Sequence, residues 1–415
     1  MTKASIITIG DELLIGQVID TNSAWMAQQL NKVGITVLRR VAVGDNFEQI
    51  WEALDVESTH AEIILITGGL GPTADDITKP LLCKYFDGKM VQSAEALAQV
   101  TYLFEQVFKR QITERNIRQA DVPDTCKVLI NTRGTAPGMW FEKNGKIFVS
   151  LPGVPHEMKG LMEEKVIPGL LEKFQTGAVI HQTAITYGLG ESMLADLLVD
   201  FEQQLPANIK LAYLPNFGMV RLRLTATGTE FDITNELLSK QFEFLKKTVA
   251  DFLIHDKDEP MEKIIGKELL KSGKSLATAE SCTGGYLAHL LTSIPGSSNF
   301  YKGSIIAYEN KVKEELLDVP NTTLQLHGAV SEETVMAMTK GLLKKIDSDY
   351  AIAVSGIMGP NGGSEDKPVG TVWIAVGDKN TITTKKFHFR FDRIKNIQLT
   401  SLNALNMLRQ MIQNS

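Results

Sequence analysis

The sequence predicts an α/β protein in three parts: an N-terminal doubly wound domain (1–170), a small α+β module (171–256) and a C-terminal α/β domain (257–415). The length of 415 residues is enough for two or three domains. Strand-like and helix-like segments alternate in the first and last parts, which is typical of sheets covered by helices on both faces. The middle part instead shows half-exposed strands of period two, and a polar hinge follows it at 256–260.

In the N-terminal part the alternation is regular along the chain. The predicted elements are a strand at 5–9, a helix at 22–33, a strand at 36–43, a helix at 47–58, a strand at 62–67 and a helix at 76–86. The strand at 62–67 is continuously apolar, as in a buried parallel sheet. Because ligands of such sheets bind beyond the carboxyl ends of the strands, the glycine-rich segments that follow strands are candidate binding loops.

The rest of the chain divides into the middle module and a second alternating region. The predicted middle elements are strands at 181–187 and 220–227 and helices at 191–201 and 236–252. The predicted C-terminal elements are helices at 261–272, from about 286, at 312–317, from Ser331 to about 345 and at 393–413, and strands at 274–280, 304–308, 350–355 and 370–376. Ser331 is a favoured N-cap residue for its helix.

Composition and charge exclude several classes of protein. Hydrophobic residues at 43% and charged residues at 22% are ordinary for a globular protein. The net charge of −6 argues against broad nucleic-acid binding but leaves room for a local site for a phosphorylated small molecule. Cys83, Cys126 and Cys282 are isolated, which predicts neither disulfides nor a zinc site. With no leader-like start and no apolar run of membrane-spanning length, we expect a cytoplasmic protein without nucleic-acid or membrane partners.

The most informative segment is Thr278–Gly285, where a predicted strand enters a turn of small residues and then a helix. Ser281 lies at this elbow, where a side chain projects into open space beside the free N–H groups of a helix start. A hydroxyl in that position, with an amine nearby, suits acyl transfer. The alternative is that Ser281 only caps the helix. Tyr308 and Lys313 follow, and the alternatives for them are a strand aromatic and an exposed helix lysine.

A second informative segment follows the apolar strand at 62–67. Gly69, Gly71 and Ala74 fit the dinucleotide pattern G-x-G-x-x-G/A. Asp75 and Asp76 near the predicted helix start would repel a bare pyrophosphate, however, so a divalent cation between carboxylates and phosphate is the better hypothesis. The alternative is that both aspartates only complement the helix dipole.

Other polar loops also follow predicted strands, and we expect several of them to converge on one strand-end crevice. These loops are 10–12, 20–22, 44–45, 134–138 and 151–155. They add Asp11 and Asp45 as candidate metal ligands, and solvated loop acids are the alternative for Asp11.

The N-terminal motifs Gly-Asp-Glu-Leu-Leu, Asp20-Thr-Asn-Ser23 and Thr-Gly-Gly-Leu-Gly-Pro-Thr-Ala-Asp-Asp resemble those of the CinA family. The resemblance implies a molybdopterin-binding-like fold and a pyrophosphatase that uses a divalent cation (Mg, Mn or Co type) to cleave ADP-ribose to AMP and ribose 5-phosphate. It places Asp75 and Asp76 at the metal. The substrate-binding residues that it implies are Asn22, Gly69, Gly71, Thr73 and Thr78.

Residues 278–377 resemble the CinA C-terminal domain, which also occurs alone as the PncC nicotinamide mononucleotide deamidase. The resemblance implies a catalytic set of Ser281, Tyr308 and Lys313 that needs no cofactor. With Ser281 as the nucleophile, Lys313 would be its base if partial burial or a nearby cation lowers the pKa of the lysine. The implied substrate-binding residues are Thr283, Gly284, Gly285, Ser355, Gly356 and Gly359. Arg393, which opens the last predicted helix, is a candidate phosphate-binding residue, and a solvated surface arginine is the alternative. Met358 departs from the small residue expected in this loop.

The middle part resembles the KH-like module of full-length CinA members. It lacks a Gly-X-X-Gly loop with basic flanks, so we expect a spacer or dimerisation role and a homodimer. The leading hypothesis is a bifunctional enzyme of pyridine-nucleotide salvage whose substrates are nicotinamide mononucleotide and ADP-ribose. The rivals are a non-catalytic adaptor in competence or DNA damage, and an N-terminal domain that only binds a pterin.

Overall fold

A computed structural model of the chain describes residues 2–73, 76–216 and 218–413. It divides into two compact units. One consists of Met1–Gln182, Val199–Ala212 and Arg223–Lys247, and the other of Thr183–Leu198, Tyr213–Leu222 and Thr248–Ser415. The predicted domain boundaries after residues 170 and 256 stay predictions.

The N-terminal part alternates strands and helices, as the sequence predicts. In chain order its elements are β1 (Lys3–Ile9), α1 (Asp11–Leu14), α2 (Thr21–Lys32), β2 (Thr36–Val43), α3 (Phe47–His60), β3 (Ile63–Thr67), α4 (Thr78–Tyr85), β4 (Met90–Gln92), α5 (Ala94–Tyr102), α6 (Glu114–Ile117), β5 (Asp121–Pro123), β6 (Lys127–Leu129), β7 (Gly138–Lys143), β8 (Lys146–Leu151), α7 (Pro155–Leu161) and α8 (Ile167–Lys173). A π-helical turn, Leu103–Val107, continues α5, and another, Met162–Val166, joins α7 to α8.

The N-terminal sheet has the order β2-β1-β3-β8-β7-β6. Its first four strands are parallel, and β7 and β6 extend it antiparallel. Alternate side chains of β1 enter opposite cores: Ile7 packs with residues of α3 and α4, and Ile6 packs with residues of α2 and α7. Because the parallel strands point the same way, the loops after β1, β2, β3 and β8 meet at one edge, as expected for a doubly wound sheet.

The middle part is a small α+β module. Its elements are β9 (Ala178–Tyr187), α9 (Glu191–Gln203), β10 (Ile209–Asn216), β11 (Met219–Gly228), α10 (Phe231–Thr248) and β12 (Leu253–His255), and the strand order is β10-β11-β9-β12. Buried and partly buried residues alternate along β11, which confirms the predicted period-two strand.

The C-terminal part returns to α/β alternation. Its elements are α11 (Met261–Ser272), β13 (Leu276–Glu280), α12 (Tyr286–Thr292), β14 (Tyr301–Ile306), α13 (Asn310–Leu317), α14 (Asn321–His327), α15 (Glu332–Lys345), β15 (Tyr350–Gly356), β16 (Thr371–Gly377), β17 (Ile382–His388) and α16 (Arg393–Gln413). The sheet order is β14-β13-β15-β16-β17, with the first three strands parallel. Helices α11, α12 and α16 cover one face, and α13, α14 and α15 cover the other.

Three predicted boundaries are wrong, two of them near the candidate sites. The helix predicted at 76–86 begins at Thr78, because the Asp76 carboxylate binds backbone amides of the preceding loop instead of entering the helix. The strand predicted at 304–308 ends at Ile306, so Tyr308 lies in the loop after it. The helix predicted at 236–252 is displaced toward the N-terminus and spans Phe231–Thr248.

Among the described residues, none of the helices combines the length and the apolarity that crossing a bilayer requires.

One carboxylate joins the starts of β13 and β15. Asp349 Oδ2 accepts hydrogen bonds from the Ser275 amide at 2.9 Å and the Ser275 hydroxyl at 2.8 Å, and Lys274 Nζ donates to Oδ1 at 3.0 Å. Burial alone would raise the pKa of Asp349, but the hydrogen bonds from Lys274 and Ser275 lower it to about 2. Ionised Asp349 therefore stabilises the register of these strands.

We predict that Asp349→Asn lowers the free energy of unfolding by about 1 kcal/mol at pH 7, a value reduced for partial solvent exposure. Since the pKa in the folded state lies below the ordinary value, this stabilisation is fully present above about pH 4 and disappears as the pH falls toward 2. Urea unfolding at pH 7 and pH 3 measures it. Asp347→Asn, at an exposed carboxylate that pairs with Lys379, is the control. An equal loss at both pH values for Asp349→Asn would contradict the assignment.

Candidate active sites

Ser281 lies at the carboxyl end of the central strand β13 and is 8% exposed. Its amide donates to Val354 O on β15 at 3.1 Å, and the neighbouring Ala307 amide donates to Glu280 O at 2.8 Å. Among the described residues the Ser281 hydroxyl has no hydrogen-bond partner. The predicted elbow at Ser281 is therefore present, and the serine hydroxyl stabilises the fold through no hydrogen bond among the described residues.

The start of α12 is capped by Glu280 and not by Ser281. The fully buried Glu280 carboxylate accepts hydrogen bonds from the amides of Gly285 at 3.0 Å, Leu287 at 3.1 Å and Ala288 at 2.7 Å. The residue before α12 is Gly285, which makes no side-chain cap. The alternative that Ser281 serves as the N-cap is thus wrong, and the expected free N–H groups of this helix start are occupied.

The donors left beside Ser281 are those of the turn itself. The Thr283 hydroxyl donates to Glu280 Oε2 at 2.7 Å, so this side chain is used internally. The Gly284 amide donates to Ser281 O at 3.2 Å. The Cys282 and Thr283 amides donate to no oxygen in the described part of the chain, which makes them the candidate oxyanion donors.

Lys313 is 1% exposed, so the alternative of an exposed helix lysine is wrong. Its Nζ donates to Ala307 O at 2.8 Å and to Tyr308 O at 3.1 Å. These carbonyls follow β14, which pairs with β13 directly before Ser281. Burial lowers the pKa of Lys313, and the nearby Cys282 opposes that shift. Burial raises the pKa of the Cys282 thiol to about 12, so this cysteine is an inert neighbour.

Tyr308, Gly359 and Arg393 come together around the arginine. Arg393, the first residue of α16, donates from Nη1 to Gly359 O at 2.9 Å and from Nη2 to the Tyr308 hydroxyl at 3.1 Å. Tyr308 is 62% exposed and lies beyond β14, so it is not the strand aromatic of the alternative. The structure thus joins three predicted site residues at the strand-end edge of the sheet.

The remaining predicted residues of the loop after β15 have structural contacts. The Ser355 hydroxyl donates to Ala329 O at 2.6 Å, and Gly356 ends β15 opposite Val372 of β16. Met358, where a small residue was expected, is buried in the core with residues of α16. Asn396 of α16 donates to Met358 O at 3.0 Å and holds this loop in place.

In the N-terminal unit, the glycine-rich loop folds around Asp76. Its carboxylate accepts from the amides of Gly71 and Thr73, each at 2.8 Å, and from the Thr73 hydroxyl at 2.5 Å. The alternative that Asp76 merely complements the helix dipole is therefore wrong, because its contacts lie in the loop. Asp75 lies outside the described residues.

Gly69 and Thr78 are in close contact. Gly69 has φ +64°, and a Cβ built on it would lie 2.1 Å from Thr78 Oγ1. A side chain at residue 69 would collide with the start of α4 and would also strain the backbone. Thr78 is fully buried, and its Oγ1 has no hydrogen-bond partner among the described residues.

Asn22 joins the loops after β3 and β8. Its Nδ2 donates to Gly153 O at 2.7 Å and to Thr67 Oγ1 at 3.3 Å. Its Oδ1 has no partner among the described residues. This residue and Thr78 thus confirm the expectation that several polar loops converge at one edge.

The other candidate metal ligands form a separate pair. The Asp11 amide donates to Asp45 Oδ2 at 3.1 Å, and the Asp45 amide donates to Asp11 Oδ1 at 3.2 Å. Across residues 2–73, 76–216 and 218–413 no group of three or more His, Cys, Asp or Glu side chains is placed to bind a metal ion. The predicted set includes Asp75, so the divalent-cation site stays a prediction.

A cavity of about 390 Å³ beside the glycine-rich loop contains residues that the sequence analysis missed. It is lined by Gly71, Pro72, Thr73, Lys79, Glu114, Arg115, Arg118 and Gln119. Lys79 is 7% exposed, and its burial lowers the pKa to about 8, against the opposing effects of Asp121 and Asp76. The sequence does contain one signal for this cavity: Lys79 lies in the first turn of α4, where the helix macrodipole disfavours a cation.

Three family models match consecutive parts of the chain. They are described as "Probable molybdopterin binding domain" (residues 5–172), "Damage-inducible protein CinA KH domain" (181–254) and "CinA C-terminal domain" (258–412). These matches confirm the predicted layout of a molybdopterin-binding-like domain, a KH-like module and a C-terminal CinA domain.

Full-length relatives agree with these matches. A CinA-like protein of Cytophaga hutchinsonii is 44% identical over 410 residues, covering 99% of this chain and 98% of the relative. One of Chloroherpeton thalassium is 40% identical over 420 residues, covering 99% and 100%. A CinA superfamily protein of Klebsiella pneumoniae is 32% identical, with a TM-score of 0.37, over 38% of this chain and 100% of its own. From the family models and the full-length identities we conclude that the chain belongs to the CinA family.

Proposed function

We propose that the C-terminal domain hydrolyses the carboxamide of nicotinamide mononucleotide to nicotinate mononucleotide and ammonia. Membership of the CinA family is compatible with a hydrolase. The observation that supports this reaction best is the Ser281 hydroxyl, which has no hydrogen-bond partner among the described residues. Lys313 is buried, and in the described part of the chain its Nζ bonds only to the carbonyl oxygens that follow the neighbouring strand β14.

Ser281 would attack the carboxamide carbonyl, forming a C–O bond while its proton moves to Lys313. The amides of Cys282 and Thr283 point away from any protein acceptor in the described residues, so they are the donors for the oxyanion. Collapse of the tetrahedral intermediate returns a proton to the leaving nitrogen and releases ammonia. A water molecule then attacks the acyl-serine and gives its proton to Lys313. The bond to Ser281 breaks, the serine oxygen takes the proton back, and nicotinate mononucleotide is released.

The hydrogen bonds of Lys313 suit a general base. A neutral lysine amine has two N–H donors and one lone pair, and two backbone carbonyls accept from Lys313 Nζ. Both donors of the neutral amine are thus satisfied, and the lone pair is left to take the serine proton. Burial favours this neutral form because it penalises the ammonium.

Arg393 supports a substrate with a phosphate. Its guanidinium is fixed by hydrogen bonds to Gly359 O and the Tyr308 hydroxyl. The arginine side chain therefore loses little conformational entropy when it binds a ligand. Its remaining N–H groups suit a phosphate oxygen, and Tyr308 would position the arginine or the substrate.

We propose that the N-terminal domain cleaves ADP-ribose to AMP and ribose 5-phosphate with a divalent cation. Support comes from the convergence of Asn22, Thr78 and the loop Gly71–Thr73 at one strand-end edge, where two buried oxygens lack partners among the described residues. Asp76, with Asp75, Asp11 and Asp45, would supply the oxygens that a hard cation prefers, and the cation would neutralise charge on the phosphates.

We predict that Ser281→Ala lowers the kcat for ammonia release from nicotinamide mononucleotide by a factor of about 10³ or more, because the nucleophile is lost. A coupled ammonia assay on the full-length protein measures it. Ser293→Ala, at an exposed serine at the end of α12, should leave the rate unchanged. Full activity in Ser281→Ala would show that the nucleophile is wrong.

We predict that kcat for the deamidase rises with pH through an apparent pKa below the ordinary lysine value of 10.5, because the base must be neutral and burial lowers the pKa of Lys313. Lys313→Met should lose this limb along with most of the rate. Lys311→Met, at an exposed lysine of the same helix, is the matched control. An unchanged pH profile in Lys313→Met would exclude Lys313 as the base.

For the N-terminal domain we predict that AMP release from ADP-ribose needs added divalent cation and falls about 10²-fold or more in Asp76→Ala, which loses a ligand and releases the Gly71–Thr73 loop. Chromatographic detection of AMP measures it. Asp87→Ala, at a carboxylate 91% exposed after α4, is the control. Equal activity in excess chelator would contradict the metal requirement.

A further inference from the structure

The cavity beside the glycine-rich loop is large enough for part of a nucleotide. Its volume of about 390 Å³ lies within the range of small-molecule sites. One wall is the Gly71–Thr73 segment, whose conformation is fixed by Asp76. The opposite side is formed by α6 and the turn after it, which carry Arg115 and Arg118.

The residues that line this cavity include more cations than carboxylates. Its lining includes the cations Lys79, Arg115 and Arg118 and one carboxylate, Glu114. Glu114 pairs with Arg118 at 2.7 Å. In the described parts of the chain neither Lys79 nor Arg115 lies within 4.0 Å of a carboxylate oxygen. The lining therefore carries more cations than carboxylates, which favours an anionic ligand, while Asp76 and Asp121 act on Lys79 from outside the lining.

Lys79 is built into the wall of the cavity. It is more than nine-tenths buried in the first turn of α4, and its Nζ donates to Gln119 O at 2.6 Å. An ammonium has three donors, so two remain for other acceptors. Asp121 and Asp76 act on Lys79 from a distance but form no ion pair with it among the described residues, and an anion in the cavity would contact the ammonium directly. This is the pattern of a binding group and differs from that of a solvated surface lysine.

We infer that this cavity binds the phosphoryl groups of the N-terminal domain's substrate, with Lys79 and Arg115 contacting non-bridging phosphate oxygens and Glu114 holding Arg118 beside them. The inference rests on the proposed phosphoester hydrolysis and deepens it. It assigns recognition of the pyrophosphate to cations beyond the glycine-rich loop, leaving the aspartates to the metal. The ligand class is a nucleoside diphosphate derivative.

Titration calorimetry on the full-length protein tests the inference with ADP-ribose, inorganic pyrophosphate and adenosine as probes. Lys79→Met keeps the volume of the buried side chain and removes its charge. We expect it to weaken binding of ADP-ribose and of pyrophosphate about tenfold or more, as for loss of a charge-assisted hydrogen bond. Arg115→Ala, at an exposed residue whose loss leaves the core intact, should weaken both in the same direction. Adenosine binding, which involves no phosphate, should be unchanged.

Lys84→Met is the matched control, since Lys84 is an exposed lysine of the same helix that lies over the Phe47 ring. If Lys79→Met and Arg115→Ala bind both phosphate probes like the parent protein, the inference is wrong even if ADP-ribose is still hydrolysed. If the parent binds pyrophosphate in a Lys79-dependent way but does not cleave ADP-ribose, the anion site stands and the proposed N-terminal reaction fails. If Lys79→Met does not fold, by circular dichroism, Arg115→Ala alone decides.

Discussion

The C-terminal site depends on one buried carboxylate. Glu280 ends the central strand and takes up the amides of Gly285, Leu287 and Ala288, together with the Thr283 hydroxyl. Burying a carboxylate costs several kcal/mol unless donors surround it, and each charge-assisted bond returns about 1.5–3 kcal/mol. The turn between β13 and α12 is thus held by an interaction that tolerates few other arrangements. Ser281 is left as the residue of the turn whose side chain the fold does not need.

The two candidate sites share an arrangement although their chemistry differs. Each lies beyond the carboxyl ends of parallel strands, and each has a buried lysine that is bonded to backbone carbonyls and to no carboxylate in the described residues. Burial lowers the pKa of both lysines. At Lys313 this favours a neutral amine that suits a base. At Lys79 the carboxylates of Asp121 and Asp76 oppose this shift, which favours retaining the cation for an anionic ligand.

The glycine-rich loops show how a sequence pattern and its structural cause can differ. Gly69 and Gly71 were expected to permit close approach of a ligand. In the structure Gly69 makes room for the Thr78 hydroxyl, and the Gly71 amide binds Asp76. The glycines therefore allow the loop to pack on itself, around Asp76 and against the start of α4. Similarly, Ser355 is used to fix a neighbouring loop through Ala329 O.

The sequence by itself determined the three-part α/β order, the buried parallel strands and the residues of the Ser281 elbow, because hydrophobic periodicity and small-residue turns are local properties. It did not give the short strands and the α6 region between residues 87 and 150, where local preferences are weak. Only the tertiary structure decided that Glu280 and not Ser281 caps α12, that Lys313 is buried, and that Arg393 reaches Tyr308 across 85 positions. These facts depend on side chains that meet across the sheet. The same holds for the cavity lined by Lys79, Arg115 and Arg118, since burial of a charge is fixed by distant parts of the chain and leaves little trace in local sequence.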